Sequence, residues 1–400
     1  MKTRSTYKAE RMSLDRLPEP VLETILCCLP TEDAARTSIL SREWRYKWTT
    51  IPNLRFTLRI RTLEPTSDIA RAKKYMNIYD VYRVLLLRQG PIHEFTLVMD
   101  DYWQRYNYFE FYQIILHLSR KHTVKKLTLD GHDDSEYIWY KLPESVFTLH
   151  HLTDLCLSTF EIDHPSIFKG FGSLRRLDLS DVKISTKTLL HLLSNCPSLK
   201  NLSLVSTHMN IRSHVMDFHN LSEYRNVLQD IWEPGDKCTI NELLKCLPVI
   251  EDLTMSGDVS EWLVLDSVPK ELPTSLIHLK YLCLNQVCLV GPHGSAFLLC
   301  LIKYSPNLEH AHLEMGWGLD FSAVKDEYSD VWLQHLNELD VCFGSNELQT
   351  EFVKFILARS PKLKTVSILI VVDRKQDSKM LKTLLRAPRA SPGVNIYTWK

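Results

Sequence analysis

Ten times along this chain an apolar residue is followed by another three positions on and a third two beyond that. The triplets are Ile92, Phe95, Leu97; Val124, Leu127, Leu129; Leu152, Leu155, Leu157; Leu174, Leu177, Leu179; Leu199, Leu202, Leu204; Ile250, Leu253, Met255; Leu279, Leu282, Leu284; Leu308, Ala311, Leu313; Leu336, Leu339, Val341; and Leu363, Val366, Ile368. The last two members alternate as a strand alternates, so each triplet predicts a short strand with one buried face. Before several triplets the apolar spacing is helical instead. Leu189, Leu190, Leu192 and Leu193 lead to Cys196-Pro197, and Phe352, Val353, Phe355, Ile356 and Leu357 lead to Ser360-Pro361, where the proline ends the helix. One such unit carries too few aliphatic side chains to offset the entropy of ordering its backbone. Units of this kind fold only by stacking.

Spacing between first members runs from 22 to 32 residues, except for the 51 residues separating Leu199 from Ile250. The long interval implies a degenerate or missing unit, and the segment Val205 to Ile240 is polar and without a clear triplet.

The start of the chain has a different logic. From Leu17 the sequence predicts three short helices. Pro20 suits a first helical turn, and Val21, Leu22, Ile25, Leu26 and Leu29 follow at helical spacing until Pro30. Thr31 is placed to cap a second helix carrying Glu32 and Asp33 in its first turn, with Ala34, Ala35, Ile39 and Leu40 as a thin apolar stripe. Ser41 can cap a third, on which Trp44 and Trp48 are four residues apart. So small a bundle needs a neighbouring domain or a partner to complete it.

Composition excludes more than it suggests. Lysine plus arginine and aspartate plus glutamate are 48 each, so net charge gives no argument for nucleic acid, and the basic start (Lys2, Arg4, Lys8, Arg11) reads as a solvated tail. No apolar run approaches a bilayer span, and the chain is expected to be soluble and intracellular, in nucleus or cytoplasm. The ten cysteines read as small buried hydrophobes rather than a disulfide framework. His310 and His312 share one strand, while Cys283 and Cys288 lack a second pair at zinc spacing, so no metal and no cofactor is expected. Gly170-Phe171-Gly172-Ser173 precedes a strand rather than opening a helix, which fails the dinucleotide-loop test. Asp100-Asp101 and Asp133-Asp134 read as solvated turns rather than an acid and base pair.

The segment Leu17 to Trp48 resembles an F-box. Leu17-Pro18, the Ile25-Leu26 and Leu29-Pro30 steps, Thr37-Ser38-Ile39-Leu40-Ser41 and the Trp44 to Trp48 pair carry the likeness. A period of about 27 residues lies in the leucine-rich-repeat range, with Phe160, Val182 and Val287 where the common motif has asparagine. Gly90-Pro91-Ile92-His93, Phe168-Lys169-Gly170-Phe171, Ser305-Pro306-Asn307-Leu308, and Glu351 to Pro361 followed by Arg389-Ala390-Ser391-Pro392 resemble the plant F-box/FBD/LRR-repeat group. That resemblance implies an α/β chain: a three-helix F-box over 13–60, an irregular leucine-rich-repeat solenoid over 61–330 with parallel strands on its concave face and helices outside, and an FBD-like module over 331–400. It further implies a non-catalytic substrate receptor of an SCF-type ubiquitin ligase, docked on a Skp-type adaptor and through it on cullin. The adaptor contacts it implies are Leu17, Pro18, Ile25, Leu26, Leu29, Pro30, Leu40 and Trp44, although Leu26 and Trp44 could equally hold the helices together.

Residues between and beside each triplet face the other side of the strand. They form the expected client surface: Asp154, Arg176, Asp178, Asn201, Asp252, Tyr281, Asn285, His310, His312 and Asp340, mixed in charge and mildly acidic toward the later repeats. Two other readings share these features. One is a repeat-based binding protein outside any ligase; the other is a co-receptor holding a small molecule on the concave face.

Overall fold

The computed structural model describes residues 17–42, 44–58, 78–99, 104–131, 139–163, 168–205, 239–257, 259–260, 272, 276–287, 292–315, 321, 327–343, 347–370 and 374–399. They fall in two compact units, residues 1–135 and 136–400. The basic start, Asp100-Asp101, Asp133-Asp134 and most of the segment after Val205 lie outside the described residues.

The first unit opens with helix α1 (Glu19–Cys27), helix α2 (Thr31–Arg36) continuing as a 3-10 turn over Thr37–Ile39, and a 3-10 helix over Trp44–Thr49. Pro18 and Pro30 are the N-caps of α1 and α2, and neither helix has a side-chain cap. Thr31 is therefore not the cap its position suggested. It is fully buried, and its Oγ1 accepts the Arg55 N–H at 2.7 Å. The hydroxyl is used to fasten α2 to strand β1 (Asn53–Leu58). Ser41 does act as expected, its Oγ accepting from Trp44 N–H at 3.4 Å.

Strand β1 is a repeat strand that the sequence pattern did not announce. It pairs in parallel with β2 (Glu94–Met99), and β2 with β3 (Lys126–Gly131), in a register that aligns Leu54, Phe95 and Leu127, then Phe56, Leu97 and Leu129. Ile51, Leu54 and Phe56 are thus an eleventh triplet, all buried, lying directly behind the helices. Helices α3 (Ile78–Leu87) and α4 (Gln104–Lys121) connect these strands. Where α3 ends, Gln89 and Gly90 N–H both donate to the Thr49 carbonyl at 3.1 and 3.4 Å. Arg88 forks beside them, donating to the Trp48 carbonyl at 3.2 Å and the Pro91 carbonyl at 3.1 Å. Burial lowers its pKa to about 10.

In the second unit nine strands lie side by side, all parallel: β5 (Asp154–Ser158), β7 (Arg176–Ser180), β9 (Asn201–Val205), β10 (Asp252–Ser256), β11 (Tyr281–Val287), β12 (His310–Met315), β13 (Glu338–Phe343), β14 (Thr365–Ile370) and β15 (Asn395–Trp399). Three short strands, β4 (Tyr140–Lys141), β6 (Phe160–Ile162) and β8 (Lys183–Ile184), make a second ladder. Thr159 and Asp181, which lead into β6 and β8, adopt φ of 65° and 53°, the left-handed geometry that turns each chain out of the main sheet. Helices α5 (Thr186–Ser194), α6 (Ile240–Lys245), α7 (Pro292–Lys303), α8 (Glu347–Arg359) and α9 (Arg374–Leu385) fill connections. Residues 331–400 continue the same sheet, since β13 pairs with β12.

All ten predicted triplets are buried, with no member more than 4% exposed. Four of them are entered by one device. Cys196-Pro197, Leu247-Pro248, Ser305-Pro306 and Ser360-Pro361 each bury the residue before proline, and its carbonyl accepts from the first triplet member three residues on: Leu199, Ile250, Leu308 and Leu363. Ser305 and Ser360 hydroxyls also donate back to the Leu301 and Ile356 carbonyls at 2.6 and 2.8 Å, satisfying helix-end acceptors. At the strand starts the carbonyl of Lys200 accepts from Glu251 and Asp252, that of Glu251 from Lys280 and Tyr281, that of Lys280 from Glu309 and His310, and that of Glu309 from Asn337 and Glu338, at 2.8 to 3.2 Å.

The 51-residue interval is resolved by pairing: β9 and β10 are direct neighbours, with Leu202 opposite Leu253 and Leu204 opposite Met255. No repeat strand stands between them, however long the chain that joins them.

Gly170 has φ of 96°, and a Cβ there would lie 2.6 Å from the Asn195 carbonyl oxygen, which accepts the Phe171 N–H. Gly170→Ala is therefore expected to lower stability by about 1–3 kcal/mol, read as a fall in the urea midpoint of the full chain. An unchanged midpoint would contradict the strain.

Candidate functional site

Two surfaces collect the residues singled out by the sequence. In the first unit the five apolar residues at helical spacing from Val21 to Leu29 divide, the first four of them within α1. Leu22 and Leu26 are buried, Leu29 is half-buried, and Val21 and Ile25 are 42% and 39% exposed. A helix with apolar residues at i, i+1, i+4 and i+5 carries two adjacent stripes, and only one can face its own core. Ile39 and Leu40, expected on a buried stripe with Ala34, are 87% and 57% exposed. The helix tightens to 3-10 at Thr37, which rotates them away from Ala34. Trp44 and Trp48 are both buried, closing the three helices on one another. Of the two roles open to Leu26 and Trp44, burial gives them internal packing and withdraws them from the exposed set. Leu17 is half-buried, while Pro18 and Pro30 are exposed. Val21, Ile39 and the exposed Tyr46 join this surface although none was among the expected adaptor contacts; for Val21 the second apolar stripe of α1 was the available signal.

The second surface is the strand face opposite the triplets, and parallel register orders it into rows. One row runs Asp154, Arg176, Asn201, Asp252, Tyr281, His310, Glu338, Thr365, Asn395. The next runs Cys156, Asp178, Ser203, Thr254, Cys283, His312, Asp340, Ser367, Tyr397. Asn285 stands one step further along, opposite Ser256. All ten expected positions lie on this face, and Arg176 is the most open of them.

Neighbours within the rows touch. Asn201 donates to Asp252. Arg176 meets Asp178 at 3.5 Å, and Ser180 donates to the same carboxylate at 3.3 Å. His310 is the hub: Nε2 lies 2.9 Å from Asp340 Oδ2, Nδ1 lies 3.3 Å from Glu338 Oε2, and its ring meets Tyr281 edge-on at 5.0 Å. His312 lies 3.8 Å from Glu314 and 3.9 Å from Asp340. The two histidines are not isolated on their strand; β13 supplies their partners. Glu314 and Glu338 belong to this cluster although neither was among the ten, and both follow from the same alternation carried one step outward.

The electrostatics follow from that crowding. The nearby Glu314 carboxylate first, then Asp340, raise the His312 pKa against the opposing effect of burial. Burial, then Cys283 and the Asp340 and Asp252 carboxylates, push the Tyr281 phenol up to about 12. Burial and neighbouring Glu251 raise Asp252, opposed by Arg176 and Lys280. Among the described residues no group of three or more histidine, cysteine, aspartate or glutamate side chains is arranged to hold a metal ion, and no helix is long and apolar enough to cross a membrane. Chemically this is a hydrogen-bonding and charge-bearing surface rather than a pocket around a nucleophile.

Comparison with known proteins finds two family models that match this chain. Residues 14–56 match the F-box domain model, and residues 113–233 match the model for the leucine-rich repeats of the FBD-associated F-box protein At5g56370. F-box/FBD/LRR-repeat protein At1g13570 of Arabidopsis thaliana is 30% identical over 95% of this chain and 96% of its own length. The putative FBD-associated F-box protein At3g50710, also of Arabidopsis thaliana, is 24% identical over 97% of this chain and 85% of its own. An internalin crystal structure from Listeria monocytogenes aligns over 82% of this chain and 85% of its own at 12% identity, with a TM-score of 0.28.

His312 gives a prediction with a definite sign. A histidine whose folded pKa is raised contributes stability that is fully present below its unfolded value of 6.5 and is lost as pH rises through the folded value. The His312 imidazole should titrate above 6.5 by NMR, and Glu314→Gln should move its midpoint down. A midpoint unmoved by that substitution would refute the assigned cause.

Proposed function

The chain belongs to the plant F-box/FBD/LRR-repeat family, and from that membership we propose that it is the substrate-recognition subunit of an SCF-type ubiquitin ligase. F-box domains generally bind Skp1-type adaptors. In this reading residues 13–60 dock on the Skp-type adaptor and through it on cullin, the repeats over 61–330 and the FBD-like residues 331–400 hold a client protein, and the complex works in the nucleus or cytoplasm. The chain itself is non-catalytic: the reacting atoms belong to its partners, and its contribution is to raise the effective concentration of client lysines near them.

The observation that carries this reading is the exposure of Val21, Ile25, Ile39 and Leu40 on a small helical unit whose own core is already closed by Leu22, Leu26, Ala34, Trp44 and Trp48. Large aliphatic side chains in water on so small a unit are the mark of a surface completed by another protein. Leu17, Pro18, Leu29 and Pro30 border it and are the remaining proposed contacts; Leu26 and Trp44 support it from inside. The strand-face residues Asp154, Arg176, Asp178, Asn201, Asp252, Tyr281, Asn285, His310, His312 and Asp340 are the proposed client contacts.

Co-purification of the intact chain with a Skp-type adaptor tests the reading. Ile25→Asp and Leu40→Asp should each weaken the complex by roughly 2 kcal/mol or more while leaving thermal stability within about 0.5 kcal/mol. Trp44→Ala should instead destabilise the chain by about 3–5 kcal/mol. A folded intact chain that fails to bind the adaptor would sink the ligase proposal.

A further inference from the structure

The strand face of the second unit changes character along the sheet. On β5 and β7 acids and a base are mixed, with Arg176 beside Asp178. From β10 to β15 no outward strand position is lysine or arginine, while Asp252, Glu314, Glu338 and Asp340 are carboxylates and His310 and His312 stand between them. Lys280 and Lys364 precede their strands and lie outside these rows. At the far end two large side chains stand exposed: Tyr397 on β15, which closes the second row and is 48% exposed, and Leu369 on β14, one step further along the strand at 41%. The sheet therefore offers, in one direction, a carboxylate column at β10, a denser one at β12 and β13, and an apolar step beyond.

We propose that this face binds an extended client segment carrying two basic side chains followed by an apolar one. The inference rests on the client-binding role proposed above and specifies its chemistry. Parallel strands lie about 4.8 Å apart, so Asp252 on β10 and Glu338 on β13 are separated by roughly 14 Å, whereas an extended peptide advances about 3.3 Å per residue. A segment crossing the strands thus meets the β10 carboxylate and the β13 carboxylates with residues about four apart, and reaches Tyr397, two strands beyond Asp340, about three residues later.

The carboxylates are held in place before any partner arrives. His310 is hydrogen-bonded to Asp340, lies 3.3 Å from Glu338 and has its ring edge-on to Tyr281, and Asn201 holds Asp252. Preorganised charges of one sign select the opposite sign in a partner and repel their own. The groups facing the two imidazoles are Tyr281 and Cys283 from β11, Glu314 from β12, and Glu338 and Asp340 from β13. Protonation of His312 cancels part of the field, so binding weakens as pH falls through its titration.

The test uses the full chain with a fluorescent peptide Arg-Ser-Ser-Ser-Arg-Ser-Ser-Leu, and the same peptide with glutamate replacing arginine, read by anisotropy. The basic probe should bind and the acidic one should not. Glu338→Gln with Asp340→Asn should weaken the basic probe about tenfold, whereas Glu144→Gln with Glu327→Gln, which removes equal charge away from this face, should leave it unchanged. Glu314→Gln, at the edge of the cluster, provides a second and milder variant, and thermal midpoints verify that each is folded. Equal weakening by both double variants, comparable binding of the acidic probe, or no binding of the basic one would overturn the inference. Adaptor binding measured on the same preparations separates the two proposals: a chain that binds the adaptor but not the probe loses only this one, and a chain that binds the probe but not the adaptor loses only the ligase reading.

Discussion

A single backbone oxygen at the start of each strand organises this protein. The carbonyls of Lys200, Glu251, Lys280 and Glu309 each accept two consecutive N–H groups from the next strand over. In the first unit Pro52 does the same for His93 and Glu94, and His93 for Lys125 and Lys126. A carbonyl has two lone pairs, and using both at one point fixes where the next strand begins to within a residue. Register follows, and from register follow the burial of every triplet and the alignment of the polar rows. A slip of one residue would turn the triplets outward and the carboxylates inward, so the polar face and the core are two consequences of one set of hydrogen bonds.

Much of this was legible in the sequence because its physics is local. The +3 and +2 spacing needs only one strand to make sense, and all ten triplets proved buried. The eleventh, Ile51-Leu54-Phe56, was hidden by its position directly behind the tryptophan pair, where the pattern of a helical segment dominates the eye. β15 was hidden for the opposite reason: Asn395, Tyr397 and Thr398 are exposed, and only pairing with β14 gives the strand its identity. Residues whose meaning depends on a neighbour far along the chain were read less well. Thr31 looked like a cap because nothing nearby shows that Arg55 will claim its hydroxyl. His310 looked solitary because Glu338 and Asp340 lie 28 and 30 residues on.

The two surfaces differ in how they avoid the cost of exposure. On the helices, aliphatic groups stand in water, tolerable because the tryptophans close the interior beneath them. On the strands, most outward groups are polar, and the charged ones are paired with neighbours: Asn201 with Asp252, His310 with Glu338 and Asp340. The first surface presents apolar groups over a closed interior. The second can change its chemistry position by position without disturbing the triplets, since alternate side chains answer to different sides of the sheet.

The direct pairing of β9 with β10 has an evolutionary meaning. Leu202 meets Leu253 as closely as any neighbouring pair of triplets does, although the chain between them is nearly twice the usual length. The assembly counts strands and is indifferent to the amount of polypeptide that joins them, and the entropy of a longer connection grows only slowly with its length. Insertions between strands are thus nearly neutral to the fold. A lineage can lengthen a connection, try new sequence there and discard it again, while the polar rows on either side keep their geometry.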